Sequence, residues 1–129
     1  MSPRARRVLW VDGGAGLVVG VVVLALHRWL AGLYGFHPDL VLAIGAANVV
    51  YGSYSTTLAV RASSGRVPSR RAVDLLVAAN LAWAVVCVAL IGVTWRWASW
   101  VGLGVVAFEG VFVAVLATIE RRVVRPEAR

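Results

Sequence analysis

The chain has 129 residues, 60% of them hydrophobic, with a mean hydropathy of +0.82 and a formal charge of +7. Soluble domains are roughly 45–50% apolar, so this composition excludes an ordinary soluble domain. All of the basic residues are arginine, and the single cysteine, Cys87, excludes an internal disulfide.

The apolar residues fall in four runs, at about 8–32, 38–60, 72–95 and 99–120. Each reaches the ~20 residues that a helix needs to cross a ~30 Å hydrocarbon core. The segments lack alternation and are too long for barrel strands, which argues against a β-barrel. Four crossings use most of the chain. The expected fold is therefore all-α, a polytopic membrane protein forming one compact four-helix transmembrane bundle over residues 1–129.

The first run is too long for the apolar part of a signal peptide, carries Asp12 near its start, and is followed by no small-residue cleavage site. Asp12, Gly16 and Gly20 repeat at intervals of four and so share one helical face. Gly16 and Gly20 form a GxxxG pair that admits a close helix neighbour. Asp12 then heads a face turned toward protein, with capping or pairing to a nearby arginine as its structural alternative.

The second run opens at Pro38, which suits a first helical turn. Asn48, Tyr51, Gly52 and Ser55 share a face, and Ser53, Tyr54, Thr56 and Thr57 make the later half polar all round. A helix this polar is the best candidate to line an internal site. The stretch 61–71, RASSGRVPSRR, is punctuated by Gly65 and Pro68 and reads as a loop. Its arginines suit anionic lipid headgroups, although they also serve orientation alone.

In the third run Asp74 sits near the helix start, where the macrodipole favours it, and Asn80 lies deeper. Asn80 shares a face with Cys87 and with Trp83 or Ala84. The fourth run carries Glu109, ten residues from Ser99 and twelve from Arg121. That is ~15–18 Å from either end, too deep to reach water by snorkelling, so Glu109 must be protonated, paired or hydrated. Glu120 reads as an ordinary interfacial acid beside Arg121 and Arg122. The terminal RRVVRPEAR is expected to fray after Pro126. The hexads AANVVY (46–51) and AANLAW (78–83) hint at an internal repeat, but the match is short.

Arginines decide the orientation. They flank the first run at Arg4, Arg6 and Arg7, fill the 61–71 loop, and follow the fourth run from Arg121 to Arg129. The opposite side has only Arg28 and Arg96, among interfacial aromatics such as Trp29, Tyr34, Trp95 and Trp97. The positive-inside rule places both termini and the loop in the cytoplasm. The absence of lysine fits a GC-rich bacterial genome, hence a bacterial inner membrane.

Clustering at membrane edges accounts for the basic charge, so no nucleic-acid partner is expected. The two histidines lie near the far end, away from the acids, and no spacing suits zinc or haem. No cofactor, metal or catalytic residue is expected. The candidate ligand-binding set is Glu109, Asn48, Tyr51, Asn80 and Asp12, with Glu109 and Asn48 at one depth. These groups suit a small cationic or amphipathic ligand, bound or transported. Two other readings remain: an accessory or scaffold subunit whose Glu109 meets a basic residue of a membrane partner or second copy, and an intramembrane lipid- or isoprenoid-modifying enzyme. The enzyme would need two convergent acids.

Overall fold

The computed structural model describes residues 1–129 and is all-helical. Helix α1 spans Pro3–Tyr34, α2 Pro38–Ser63, α3 Arg70–Thr94 and α4 Trp100–Ile119. A π-helical turn, Glu120–Val124, and a 3-10 turn, Arg125–Glu127, continue α4. Three helices are long and apolar enough to cross a membrane: α1, α3 and α4 with its extension. Helix α2 has the length, at 26 residues, but Asn48 and the hydroxyls of its second half keep it less apolar.

Local sequence explains each boundary. Ser2, Ser69 and Ser99 cap α1, α3 and α4, each accepting a backbone N–H through its side-chain oxygen. Pro3 and Pro38 occupy first turns, where a missing N–H is harmless. Gly35 stops α1 at φ 68°, a left-handed conformation that glycine adopts without strain. At the far end of α4, Pro126 cannot donate to the carbonyl four residues earlier. The preceding turn widens into the π form, in which Arg125 N–H donates to Glu120 O.

Helices α1 and α2 form one hairpin and α3 and α4 the other. Along the first, α1 presents Gly13, Gly16 and Gly20, and α2 answers with Gly52. A methyl group placed on Gly52 would stand 2.4 Å from Leu17 N and 2.7 Å from Gly16 C. The two backbones are thus nearly in contact, as small-residue helix interfaces permit.

The hairpins are joined at both ends. At one, Ser99 N–H donates to Tyr34 O at 2.8 Å and Ser99 Oγ–H to Leu33 O at 2.7 Å. At the other, Ser2 donates to both carboxylate oxygens of Glu127, while within the second hairpin Arg70 N–H donates to Arg129 O at 2.6 Å. The tail expected to fray is therefore tied down, because Arg129 N–H also reaches Pro68 O. Arg125 adds an ion pair with Asp74, half-exposed on both sides. The three arginine-rich segments meet at this end.

Two apolar clusters close the interior. One, around Leu9, Leu58, Leu76 and Val124, lies toward the arginine-rich end. The other, around Leu30, Phe36, Val41 and Val106, lies toward the Ser99 end. Outward faces are apolar as well, with Val18, Val50, Val88 and Phe108 all more than 60% exposed. Hydroxyls on these faces fold back: Thr57 and Thr118 each donate to the carbonyl four residues earlier, as the buried Thr94 also does.

Gly52→Ala and Gly16→Leu should each destabilise the protein by about 1–3 kcal/mol, because backbone rather than a pliable side chain must yield. Gly14→Ala, with nothing within 4 Å, should be neutral or gain up to ~1 kcal/mol of helix propensity. Thermal melting of the three variants in lipid nanodiscs compares them directly.

Candidate functional site

Between the two apolar clusters lie two polar layers. The first is built on Glu109, whose Oε1 accepts from Trp83 Nε1–H at 2.7 Å and Asn48 Nδ2–H at 3.0 Å. Asn48 also donates to Ile44 O one turn back, which orients its amide. The second layer is built on Asp12. Its Oδ2 accepts from Tyr51 Oη–H and Ser55 Oγ–H, both at 2.5 Å, and its Oδ1 from Asn80 Nδ2–H at 3.4 Å. Asn80 also donates to Glu120 Oε2 at 3.0 Å.

Spacing along each helix produces this arrangement. On α2, Asn48, Tyr51 and Ser55 are separated by three and four residues and project from one face. On α3, Asn80 and Trp83 are likewise one turn apart. On α4, Glu109 and Glu120 lie eleven residues apart, close to three whole turns. The stripe Val106, Glu109, Val113, Leu116 and Glu120 therefore faces inward throughout.

Two expectations from the sequence need correction. Glu120 is not an interfacial acid: it is fully buried, 0% exposed, and bonded to Asn80 rather than to an arginine. Its depth follows from the α4 face it shares with Glu109. The inward stripe was visible in the spacing, but the adjacent arginines masked it. Asp12, 2% exposed, neither caps backbone nor pairs with an arginine; its partners are the hydroxyls of α2 and the amide of α3.

The five candidate residues divide between the layers. Asn48 meets Glu109, whereas Tyr51 and Asn80 meet Asp12. Asp12 and Glu109, the two acids considered for an intramembrane enzyme, share no hydrogen-bond partner. Trp83 was noted only as a possible neighbour of Asn80 and proves to be a direct donor to Glu109.

Charge is the unusual feature. The ion pair between permanently charged groups is Arg125–Asp74, at the surface. No cationic side chain reaches Asp12, Glu109 or Glu120, although an unpaired charge within a membrane span is costly.

Clefts open onto these layers from two sides. One, of about 170 Å³, lies between α2 and α3 and is lined by Asn48, Tyr51, Asn80, Trp83 and Val113. Another, of about 290 Å³, lies between α1 and α4, with Asp12 and Glu109 among Val19, Val105, Phe108 and Phe112. Asn48 and Val113 border both. No group of three or more histidine, cysteine or acidic side chains is arranged to hold a metal ion.

Trp83→Phe removes one donor to Glu109 and should cost about 1 kcal/mol, the scale of an interhelical hydrogen bond in a membrane. Asn80→Leu should cost more, about 1–3 kcal/mol, because the buried Glu120 loses its one donor and Asp12 loses one of three. Chemical or thermal unfolding in nanodiscs reads both. The chain matches no protein-family model, no curated protein and no solved structure.

Proposed function

We propose that the chain is a four-crossing integral protein of a bacterial cell membrane that binds or transports a small cationic, amphipathic molecule. In this reading α2 is the fourth crossing, both termini and the 61–71 loop are cytoplasmic, and Glu109 is the centre of the ligand site. Asn48 lines the site beside Glu109, Tyr51 and Asn80 line the adjoining cleft between α2 and α3, and Asp12 lies at the cytoplasmic edge.

The observation that carries the reading is Glu109 itself. It is a carboxyl group on the floor of an apolar, aromatic-lined cleft, held by two donors on one oxygen and opposed by no cation. Such a site complements an organic cation with an apolar body: the charge meets Glu109, and the body meets Phe108, Phe112 and Val105. Crossing by α2 is supported by its length, its exposed Leu42 and Val50, and the folding-back of Thr57 onto Ser53 O.

The same cleft favours a second reading, an accessory subunit. It opens sideways between α1 and α4, where a partner helix bearing a basic residue would place its charge on Glu109.

Tetraphenylphosphonium, a lipophilic cation, serves as the probe. Wild-type protein in nanodiscs should retain it in native mass spectra, and Glu109→Gln should weaken binding about tenfold or more, a loss of 1.4 kcal/mol or above. A stoichiometric protein partner, with no probe bound, would select the accessory reading. For topology, single cysteines at His37 and Ser64, which bracket α2, in a Cys87→Ala background should label from opposite faces of sealed vesicles with an impermeant maleimide. Labelling from one face would remove α2 as a crossing.

A further inference from the structure

Glu120 holds the one carboxylate oxygen in the molecule that is buried without a hydrogen-bond partner, Oε1. Its other oxygen accepts from Asn80 Nδ2, and that same amide reaches across to Asp12 Oδ1. One amide nitrogen, 3.0 Å from Glu120 Oε2 and 3.4 Å from Asp12 Oδ1, thus bridges two buried carboxyl groups. On Asp12, Oδ2 is saturated by Tyr51 and Ser55, while Oδ1 has only the long contact to Asn80.

The donors of the cluster are therefore used up. The hydroxyls of Tyr51 and Ser55 are both committed to Asp12, and the amide of Asn80 is divided between the two acids. Glu120 Oε1 is left with no donor, and Asp12 Oδ1 with only the long contact to Asn80. Nothing else supplies a compensating charge. The groups facing Glu120 are Asp12 from α1, Tyr51 and Ser55 from α2 and Asn80 from α3, and none is cationic. Arg121 and Arg122, its neighbours in the chain, are exposed. Two adjacent carboxylates cannot both stay ionised cheaply where water is excluded.

We propose that Asp12 and Glu120 form a proton-binding site, holding one exchangeable proton between them inside the bundle. The proton supplies the missing donor: carried on Glu120 Oε1, it is offered to Asp12, and the pair keeps a single negative charge. Asn80, Tyr51 and Ser55 are its positioning residues. The site stands independently of the ligand assigned to Glu109. Yet Tyr51 and Asn80 also line the cleft that holds both donors to Glu109, so the proton lies directly behind the wall of that cleft.

Infrared spectroscopy in lipid nanodiscs tests this in a Glu109→Gln background, where the ligand reading plays no part. At neutral pH exposed acids are ionised, so a carboxylic-acid carbonyl band must come from an enclosed group. The expected result is a band of one proton per chain that shifts in deuterated buffer and disappears when Glu120→Gln is added. Tyr51→Phe leaves both acids in place but removes a donor to Asp12, and should move the band frequency. It carries the test if Glu120→Gln does not fold. Absence of the band, its survival in both Glu120→Gln and Asp12→Asn, or an unmoved frequency in Tyr51→Phe would overturn the proposal. So would a sodium-dependent rise in melting temperature without the band, which would put a metal cation in place of the proton.

Discussion

The near-contact of the α1 and α2 backbones governs what the interior can hold. Gly16 against Gly52 brings the helices so close that short side chains on α2 can reach across to α1. Ser55 and Tyr51 meet Asp12 only because of this approach. With bulkier residues at the crossing, Asp12 would lose its two short hydrogen bonds and turn toward the second hairpin or toward lipid. The glycines thus do more than tighten packing; they let an acid be buried with donors already in place.

The second hairpin meets the first through the two apolar clusters, through polar side chains between them, and through hydrogen-bonded ties at the ends. Across the seam Asn48 donates to Glu109 and Asn80 to Asp12, while Trp83 and Asn80 brace Glu109 and Glu120 from within the second hairpin. Hydrogen bonds across membrane helices average only ~0.6 kcal/mol, so the seam is weaker per contact than the glycine-lined junction. Clefts open along the seam, whereas the α1–α2 crossing is filled. The molecule is consequently stiff within its first hairpin and more open between hairpins.

Much of this architecture could be read from residue order. Runs of apolar residues, Pro38 in a first turn and the Gly16–Gly20 pair indicated helices, the start of α2 and the tight face of α1. The common depth of Asn48 and Glu109 was legible by counting from the helix ends. What escaped was tertiary. Glu120 lies next to Arg121 and Arg122, and proximity in sequence suggested an ion pair that the inward-facing stripe of α4 does not permit. The π turn ahead of Pro126 and the docking of Arg129 onto Pro68 depend on contacts between segments far apart in the chain. No local pattern encodes them.

The unequal hydropathy of the first hairpin bears on how the chain enters a bilayer. A segment holding Asn48, Tyr51, Tyr54, Ser55 and Thr56 within two and a half turns gains little from lipid on its own. Taken as a crossing, α2 must leave the aqueous path already paired with α1, which covers Gly52 and Ser55 and offers Asp12 to the hydroxyls. Helices α3 and α4 are each apolar enough to partition separately. Biogenesis would then be stepwise and uneven: a first pair delivered together, and two later helices that dock onto a polar face already waiting inside the membrane.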